Sequence, residues 1–345
     1  MNFQIALLLG QDGVTNGAIY ALLALSILLV FTVTRILLIP QGEYVTYGAL
    51  TMAALQAGQP TALVWLLLGL TLIDCSLDLI GALRSSHAFR LPRWVPVKLL
   101  YAVAMVLLVR NLPLAELPMA LQALLTLALV VPLGPQIYRL FFQPVAGAHP
   151  LVLLIVSIAV HVAMVGVGLL LFGPEGARTQ PFSEAGLELG PVTLNSQTLW
   201  VIAVSLALII GLFLFFERSI YGKALRATAV NRMGARLMGI SPTLAGKATF
   251  AMATFIGALS GILIAPITTL YFDSGFVISL KGFVGAIIGG LVSYPVAALG
   301  ALAVGLIEAF SMFWASTYKE MIVFTLIIPF LLWRSLTSRH VEEEE

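Results

Sequence analysis

Long apolar runs separated by short polar segments dominate the chain. Their length and continuity predict membrane-spanning helices, because about 20 apolar residues cross the bilayer core, whereas barrel strands would alternate. Four of the runs are shorter and indicate tilted, half-length or re-entrant helices. The sequence therefore predicts an all-α, polytopic transmembrane helical bundle of about 8–11 spans, including short or broken helices. The runs are 17–37, 43–58, 62–82, 97–112, 116–136, 150–173, 198–216, 248–270, 283–294, 296–314 and 320–333.

The composition supports a membrane protein and excludes a soluble one. Of the 345 residues, 60% are hydrophobic and 10% are charged, and the mean hydropathy is +1.04. A soluble domain carries about a quarter charged residues. We expect a single transmembrane domain over 1–345. Cys75 is the only cysteine, so no intrachain disulfide is expected, and the first span is expected to serve as its own insertion signal.

The positions of lysine and arginine predict the orientation. Loop 83–98 has four basic residues and no acid, and loop 217–247 is the longest polar stretch and is strongly basic. When these loops are placed in the cytoplasm, the N-terminus lies outside and the C-terminus inside. Only four of the eighteen basic side chains then lie outside, namely Arg110, Arg178, Lys281 and Lys319.

No catalytic or metal-binding pattern is present in the sequence. The Gly-Lys pairs at 222–223 and 246–247 are each followed by alanine, so neither makes a phosphate-binding loop. The four histidines are scattered, and none pairs with another at metal-ligand spacing; His161, inside an apolar span, is expected to be a packed helix residue. We therefore expect neither an enzyme nor a bound cofactor or metal, and no nucleic-acid partner.

Acidic residues inside apolar runs are the strongest candidates for a functional site, because membrane burial of charge is costly. Glu43 follows Pro40-Gln41-Gly42, which predicts a span, a kink and a second short helix with Glu43 in its first turn. Glu43 is either a structural cap or a group on the substrate pathway, and we place Gln41, Gly42 and Glu43 on that pathway as a hypothesis.

Three further acids lie within spans. Glu308 is mid-span and needs a partner such as Lys281, Arg35 or a polar side chain; it is assigned either to an interhelical hydrogen bond or to the pathway. Asp74 and Asp78 share a helix face, which favours an ion pair near Arg84 over a proton relay.

Glycines at four-residue spacing predict close helix contacts. The pairs are Gly257 with Gly261 and Gly285 with Gly289. The glycine-rich region 271–295 also resembles the interrupted helices that line transport cavities, so Gly285 and Gly289 are assigned to the pathway as well, with plain helix packing as the alternative.

The basic loop contains a predicted helix. Residues Tyr221 to Met238 favour a helix, Gly239 favours its end, and Ser241-Pro242 favours the start of the next element. The helix has three interpretations: a positive anchor, a segment lying on anionic lipid, or a docking element for a cytosolic partner.

The residue order within this loop resembles one family. The stretch GKALRATAVNRMGARLMGIS is similar to the coupling loop of permeases in branched-chain amino acid ABC importers, through Arg226, Asn231, Gly239 and Ile240 in particular. The N-terminal block GAIYALLALSILLVFTVTRILLIPQGEYVTYGAL, the stretch YRLFFQPVAGAHPLVLLIVSIAV and the block KGFVGAIIGGLVSYPVAALGALAVGLIEAF resemble the same family in the same order, with Glu308 at its acidic position.

The resemblance implies a multi-pass permease subunit of the bacterial cytoplasmic (inner) membrane. Implied partners are a second homologous permease, two ABC ATPase subunits that carry ATP and magnesium, a periplasmic solute-binding protein and the lipid bilayer. Branched-chain amino acids are the implied substrate, although relatives carry urea, short amides or aromatic acids. The residues that the resemblance and the basic face assign to ATPase coupling are Lys223, Arg226, Asn231, Arg232, Arg236, Gly239 and Ile240.

The chain departs from the family pattern in two places. Gln41 stands where the family has histidine, and 60–112 contains a predicted extra helical pair. Residues 334–345, which end in VEEEE, are predicted to form a cytoplasmic tail. The alternative function is a stand-alone ion-coupled secondary transporter or channel for a small polar solute, using Asp74, Asp78, Glu308 or His161.

Overall fold

The computed structural model describes residues 3–84, 94–183, 186–189 and 192–337. Over these ranges the chain is a bundle of α-helices, eight of which are long and apolar enough to cross a membrane. This confirms the predicted all-α polytopic class. The helices are α1 (Phe3–Thr34), α2 (Gln41–Gln56), α3 (Leu63–Arg84), α4 (Trp94–Asn111), α5 (Met119–Val130), α6 (Leu133–Ile137), α7 (Pro150–Phe172), α8 (Ser196–Arg218), α9 (Ile220–Val230), α10 (Arg232–Leu237), α11 (Pro242–Ile264), α12 (Ser274–Ile288), α13 (Tyr294–Ala315), α14 (Lys319–Thr325) and α15 (Ile327–Thr337).

Small elements connect the long helices. A π-helical turn, Tyr138–Phe142, follows α6, and a short antiparallel hairpin precedes α8. The strands of the hairpin are β1 (Gly186–Leu189) and β2 (Val192–Asn195). Residues 85–93 of the first basic loop and 338–345 of the predicted tail lie outside the described residues.

Several predicted boundaries were wrong by a turn or more. α1 begins at Phe3 rather than near residue 17, so the polar residues before residue 17 belong to the same continuous helix. α11 begins at Pro242, where Oγ of Ser241 accepts a hydrogen bond from N–H of Leu244, so the Ser-Pro start is confirmed. The last apolar run is two helices, α14 and α15, rather than one.

The core is built around α1. Residues 17–30 of this helix are almost wholly apolar and are all buried, and α1 packs against α8, α11, α12 and α13. By contrast, α4 and α8 expose most of their surface. A helix that is hydrophobic all round belongs in the interior of a bundle. α2 is also almost wholly buried, between α11 and α12.

Glycines set the closest helix contacts. Gly42 of α2 and Gly275 of α12 touch through their backbones, and Gly261 of α11 packs on the carbonyl of Val45. The Gly257/Gly261 pair therefore packs α11 onto α2, as predicted.

The break between α1 and α2 is held at membrane depth by a side chain of α7. Oγ of Ser157 donates to the carbonyl of Leu37 at 2.6 Å and accepts from N–H of Ile39 at 3.0 Å. Non-helical backbone is tolerated inside a membrane only where such partners are present. The predicted kink and second short helix are confirmed, with Glu43 in the first turn of α2.

Helices α3 and α4 form an antiparallel pair joined to the bundle by charge. Asp74 and Asp78 of α3 both pair with Lys98 of α4 and with Arg139 of the π-helical turn. The expected ion pairing is confirmed, and these two cations supply it. The cluster connects the predicted extra pair to the α6 segment, together with a 2.8 Å hydrogen bond from Gln136 to Thr71.

The bundle has two ends, defined here for use below. The loop face carries α9 and α10, together with the C-termini of α1 and α8 and the N-termini of α11 and α13. The far face carries the N-terminus of α1, the C-terminal ends of α11 and α13, and the start of α12. Exposed tryptophans lie near both ends, Trp94 at the start of α4 and Trp65, Trp200 and Trp314 toward the far face, as in membrane-interface belts.

A single methyl group added at the α2–α12 contact should destabilise the fold. A Cβ at Gly42 would lie 2.2 Å from the carbonyl oxygen of Gly275, whereas a Cβ at Gly69 of α3 meets nothing within 4 Å. We expect Gly42→Ala to lower the stability by about 1–3 kcal/mol and Gly69→Ala to leave it equal or slightly higher. The melting temperature of detergent-purified protein measures both, and equal values would contradict the packing.

Candidate functional site

A polar cavity opens on the far face between α1, α11, α12 and α13. Its volume is about 540 Å³, within the range of small-molecule sites. It combines charged side chains with hydroxyl groups and an apolar wall. The polar lining residues are Asp12, Thr15, Asn16, Tyr20, Thr198, Thr268, Thr269, Asp273, Ser274, Lys281, Glu308, Lys319 and Glu320.

Three side chains, two of them charged, form a hydrogen-bonded triad at the buried end of this cavity. Glu308 of α13 accepts from Nζ of Lys281 of α12 through Oε1, and from the hydroxyl of Tyr20 of α1 through Oε2 at 2.6 Å. All three residues are buried. A charge in the membrane interior needs a partner of this kind. Of the partners that the sequence left open, the structure shows Lys281 together with a polar side chain, Tyr20.

Four more charged residues line the cavity. These are Asp12, Asp273, Lys319 and Glu320, of which all but the half-buried Lys319 are exposed. The wall that contains Thr268 and Thr269 is held in place from outside by 173–183. Ala177 and Leu270 exchange two backbone hydrogen bonds, and Nε of Arg178 donates to the carbonyl of Pro266 at 2.8 Å.

The cavity and the basic loop lie on opposite ends of the same helix. Asp12 lines the cavity, and the carbonyl of Val33 accepts a hydrogen bond from Arg232 in the loop. At 1.5 Å per residue, these two positions of α1 are about 30 Å apart, which is the thickness of the bilayer core. The triad lies about 10 Å along α12 from its first residue.

Glu43 lies in a separate, closed environment. Its Oε1 is 2.8 Å from Nδ1 of His161 on α7, and the imidazole lies 4.5 Å from the ring of Phe276. Glu43 is almost fully buried and does not line the polar cavity. His161 is therefore the packed helix residue that was expected, with Glu43 as its polar partner. The order of residues could not show this pair, because 118 positions separate the two side chains.

The other predicted pathway residues lie at helix contacts. Nε2 of Gln41 donates to the carbonyl of Ala253 at 3.0 Å, and Gly42 contacts Gly275. Gly285 and Gly289 face α13, where an added Cβ would meet Ala301 and Ala297. None of these four residues lines the polar cavity, whereas Glu308 does.

The predicted single helix Tyr221–Met238 was wrong: the loop contains two helices. α9 ends at Val230, and Asn231 has extended backbone and caps α10 through a 2.9 Å bond from N–H of Gly234 to its Oδ1. Asparagine is a strong N-cap residue, and this signal could have located the break. The predicted stop is confirmed, because Gly239 has φ +82°.

The predicted coupling residues point in different directions. Lys223 and Arg236 are exposed, and Ile240 closes α10 by donating its N–H to the carbonyl of Ala235. Arg232 turns inward to Val33, and burial together with the nearby Arg35 lowers the pKa of its guanidinium. Arg226 donates to the carbonyl of Phe216 and to Glu217, both at 3.2 Å.

Large apolar side chains are exposed along this loop, although the residues that the sequence assigned to coupling are mostly basic. Seven large hydrophobic side chains are exposed beside the exposed arginine and lysine residues. Exposed hydrophobic side chains grouped within basic residues mark interaction sites. They are Ile220, Tyr221, Val230, Met233, Leu237, Met238 and Leu244.

The described residues contain no group of three or more histidine, cysteine or acidic side chains suited to a metal ion. Comparison with known families matches residues 11–331 to the permease component of the branched-chain amino acid transport system. The chain belongs to this permease family. It is therefore a membrane transport permease, and the resemblance of the sequence to this family is confirmed.

Curated relatives of this permease agree with the family. The high-affinity branched-chain amino acid transport system permease protein BraD of Pseudomonas aeruginosa is 27% identical over 208 residues, which cover 58% of this chain and 68% of the relative. Protein LivH of Escherichia coli is 27% identical over 210 residues, covering 58% and 67%. LivH of Salmonella typhimurium has the same identity and coverage. No solved structure matches the chain.

Removing one partner of the buried triad should be far more damaging than removing both charges. Lys281→Met leaves Glu308 buried without its cation, which we expect to cost about 3–5 kcal/mol of stability. The double variant Lys281→Met, Glu308→Gln should regain most of this loss, because no unpaired charge remains. Thermal unfolding of the purified variants in detergent measures the difference. A double variant as unstable as the single one would contradict the pairing.

Proposed function

We propose that this permease is the transmembrane subunit of an ATP-binding cassette importer for branched-chain amino acids or a related small solute. The complete assembly would contain a second homologous permease, two ATPase subunits and a periplasmic solute-binding protein. ATP and magnesium would bind to the ATPase subunits, and this chain would bind no cofactor.

The observation that carries the proposal is the placement of two different surfaces at opposite ends of one helix. The far face has a charged cavity of small-molecule size, and the loop face has an exposed apolar and basic helix pair. A stand-alone transporter needs the first surface only. The second suits a subunit that docks on a partner and receives motion from it.

The loop helices would act as the coupling element. α9 packs on the end of α8, α10 is tied to α1 through Arg232, and α11 follows directly after Ser241. Force applied to this pair would therefore reach α1 and α11, two walls of the cavity. Lys223 and Arg236 would add charge contacts to the ATPase.

The proposed orientation is supported by the charge of the loop. The basic loop belongs in the cytoplasm by the positive-inside rule, which puts the N-terminus outside and the C-terminus inside. The cavity then opens to the periplasm of a bacterial inner membrane, where the solute-binding protein would deliver its cargo.

Alternating access would expose the cavity to each side in turn. A ligand shifts such an equilibrium only by its differential affinity for the two states. Glu308, with Lys281 and Tyr20, would contact or gate the cargo, because these side chains lie at the buried end of the cavity. Glu43, with Gln41 and Gly42, would act on the gate by holding α2 against α12 and α7. Gly285 and Gly289 would let α12 move against α13.

The alternative of an ion-coupled transporter loses two of its candidate carriers. Asp74 and Asp78 are each paired with two cations, so neither is available to carry a proton or ion without breaking the cluster. Uptake by the lone chain in ATP-free vesicles would support that alternative, and co-purifying ATPases would support the importer.

The exposed apolar loop surface gives a sharp test of coupling. Leu237 of α10 is 82% exposed, and Leu336 of α15 is 80% exposed outside the loop. If Leu237 is a docking contact, we expect Leu237→Ser to reduce the ATPase activity stimulated by loaded binding protein roughly tenfold, as for a buried interface residue. The measurement is ATP hydrolysis by the reconstituted complex.

The matched control is Leu336→Ser, an identical change at equal exposure. We expect it to retain full stimulated activity. Equal activity of both variants and the wild type would remove the docking role of α10. Gly239 is a poorer test site, because any side chain at φ +82° strains the backbone irrespective of docking.

A further inference from the structure

A second cavity, called the groove below, opens near the loop face between α1, α8 and α13 and is separate from the polar cavity. Helix α9 closes its end nearest the loop. Its volume is about 580 Å³, and its lining is almost wholly apolar. Its α8 wall includes Ile210 and Phe213, which are exposed on the outside of the bundle. An apolar cavity of this size does not hold ordered water, because water there would lack polar partners.

The end of this groove nearest the loop is basic. Arg226 lines it, and the arginine side chain has five N–H donors, of which only those of Nη2 are used by Phe216 and Glu217. Arg232 donates a hydrogen bond to the carbonyl of Val33, a residue that also lines the groove. Arg35 lies two residues after Val33 in the chain. Glu217 is the single acid of the described residues at this rim.

Two hydroxyl groups complete the rim. Oγ1 of Thr32 and the hydroxyl of Tyr294 lie 3.1 Å apart, and both residues line the groove. The groove thus has an apolar interior at membrane depth and a basic, hydrogen-bonding end at the membrane surface. Basic pockets of this kind between transmembrane helices on the cytoplasmic side bind anionic lipid head groups.

We propose that this groove binds an anionic phospholipid. One acyl chain lies between α1, α8 and α13, and the head-group phosphate accepts hydrogen bonds from Arg226 at the rim. The commitment to lipid follows from charge complementarity and from the apolar α8 wall of the groove, which is exposed on the outside of the bundle at the depth of a membrane span. The proposal goes beyond the transport function and gives Arg226 a partner other than an ATPase.

The consequence is that lipid would contribute to the position of α9. Arg226 and Ala229 of α9 line the groove, so an occupied groove supports the loop helix from the membrane side. The exposed side chains of α9 and α10 remain available to a docking partner. The negative phosphate would also lower the repulsion between Arg226 and the other arginines near this end of the bundle.

Lipid binding to the complex co-purified with its partner subunits tests the proposal. Native mass spectrometry compares phosphatidylglycerol with phosphatidylcholine of identical acyl chains. Each basic residue near a membrane surface contributes about a fivefold preference for anionic lipid, so we expect at least this ratio for the wild type.

Three variants locate the site. Arg226→Gln should reduce the preference for phosphatidylglycerol about fivefold. Arg218→Gln, an exposed arginine in the last turn of α8 that does not line the groove, should leave the preference unchanged. Ala298→Phe fills the groove from α13 without a change of charge and should weaken binding of both lipids. Melting temperatures show whether each variant is folded. If Arg226→Gln does not fold, Arg226→Lys replaces it as a variant that keeps the charge but loses the planar guanidinium.

Four outcomes would overturn the proposal. The first is equal binding of both lipids to the wild type, and the second is an equal loss of preference for phosphatidylglycerol in the Arg226 and Arg218 variants. The third is unchanged lipid binding in Ala298→Phe, and the fourth is lipid that binds to the chain purified alone but not to the complex. The last result would mean that the second permease covers the groove. None of them bears on uptake or on the Leu237 test, so failure here is distinguishable from failure of the importer proposal.

Discussion

The contact between Gly42 and Gly275 is the constraint on which the bundle depends. α2 and α12 are too short to cross a bilayer, and α2 begins inside the protein, where every backbone polar group needs a partner. With no Cβ between them, the two helices approach until N–H of Gly275 donates to Oγ1 of Thr46 at 2.9 Å. That approach places α12, and therefore Lys281, beside α1 and α13. The polar cavity exists because these broken helices are packed so closely.

Buried charge follows one rule in this protein and serves different ends. Each buried acid of the described residues has a cationic or imidazole partner on another helix: Asp74 with Arg139, Glu43 with His161, and Glu308 with Lys281. The first pair attaches two peripheral helices, the second closes a helix start, and the third lies where a solute could reach it. Pairing alone therefore does not identify function. The cavity around Glu308 sets it apart from the other two.

The loop helices have two different surfaces. One is turned inward, where Arg232 contacts the end of α1 and Arg226 reaches the apolar groove. The other presents exposed leucine and methionine side chains away from the bundle. The three interpretations of the basic loop are thus not exclusive. Under the proposals above, positive charge would orient the chain, Arg226 would contact anionic lipid, and the apolar side chains would remain for docking.

Local sequence determined the fold class, most spans, the kink before α2, the start of α11 at Ser241 and the stop at Gly239. These depend on hydropathy over a single segment, or on the backbone preferences of one or two residues, and both are readable along the chain. Local sequence also carried the family resemblance, through the order of residues around Arg226. Only the tertiary structure decided which acids share a cavity and which are closed off, that Arg232 turns inward, and that Gly285 and Gly289 face α13. Such facts depend on how helices rotate and pack against each other. Hydropathy in a membrane protein does not encode that rotation, because lipid and protein interior are equally apolar.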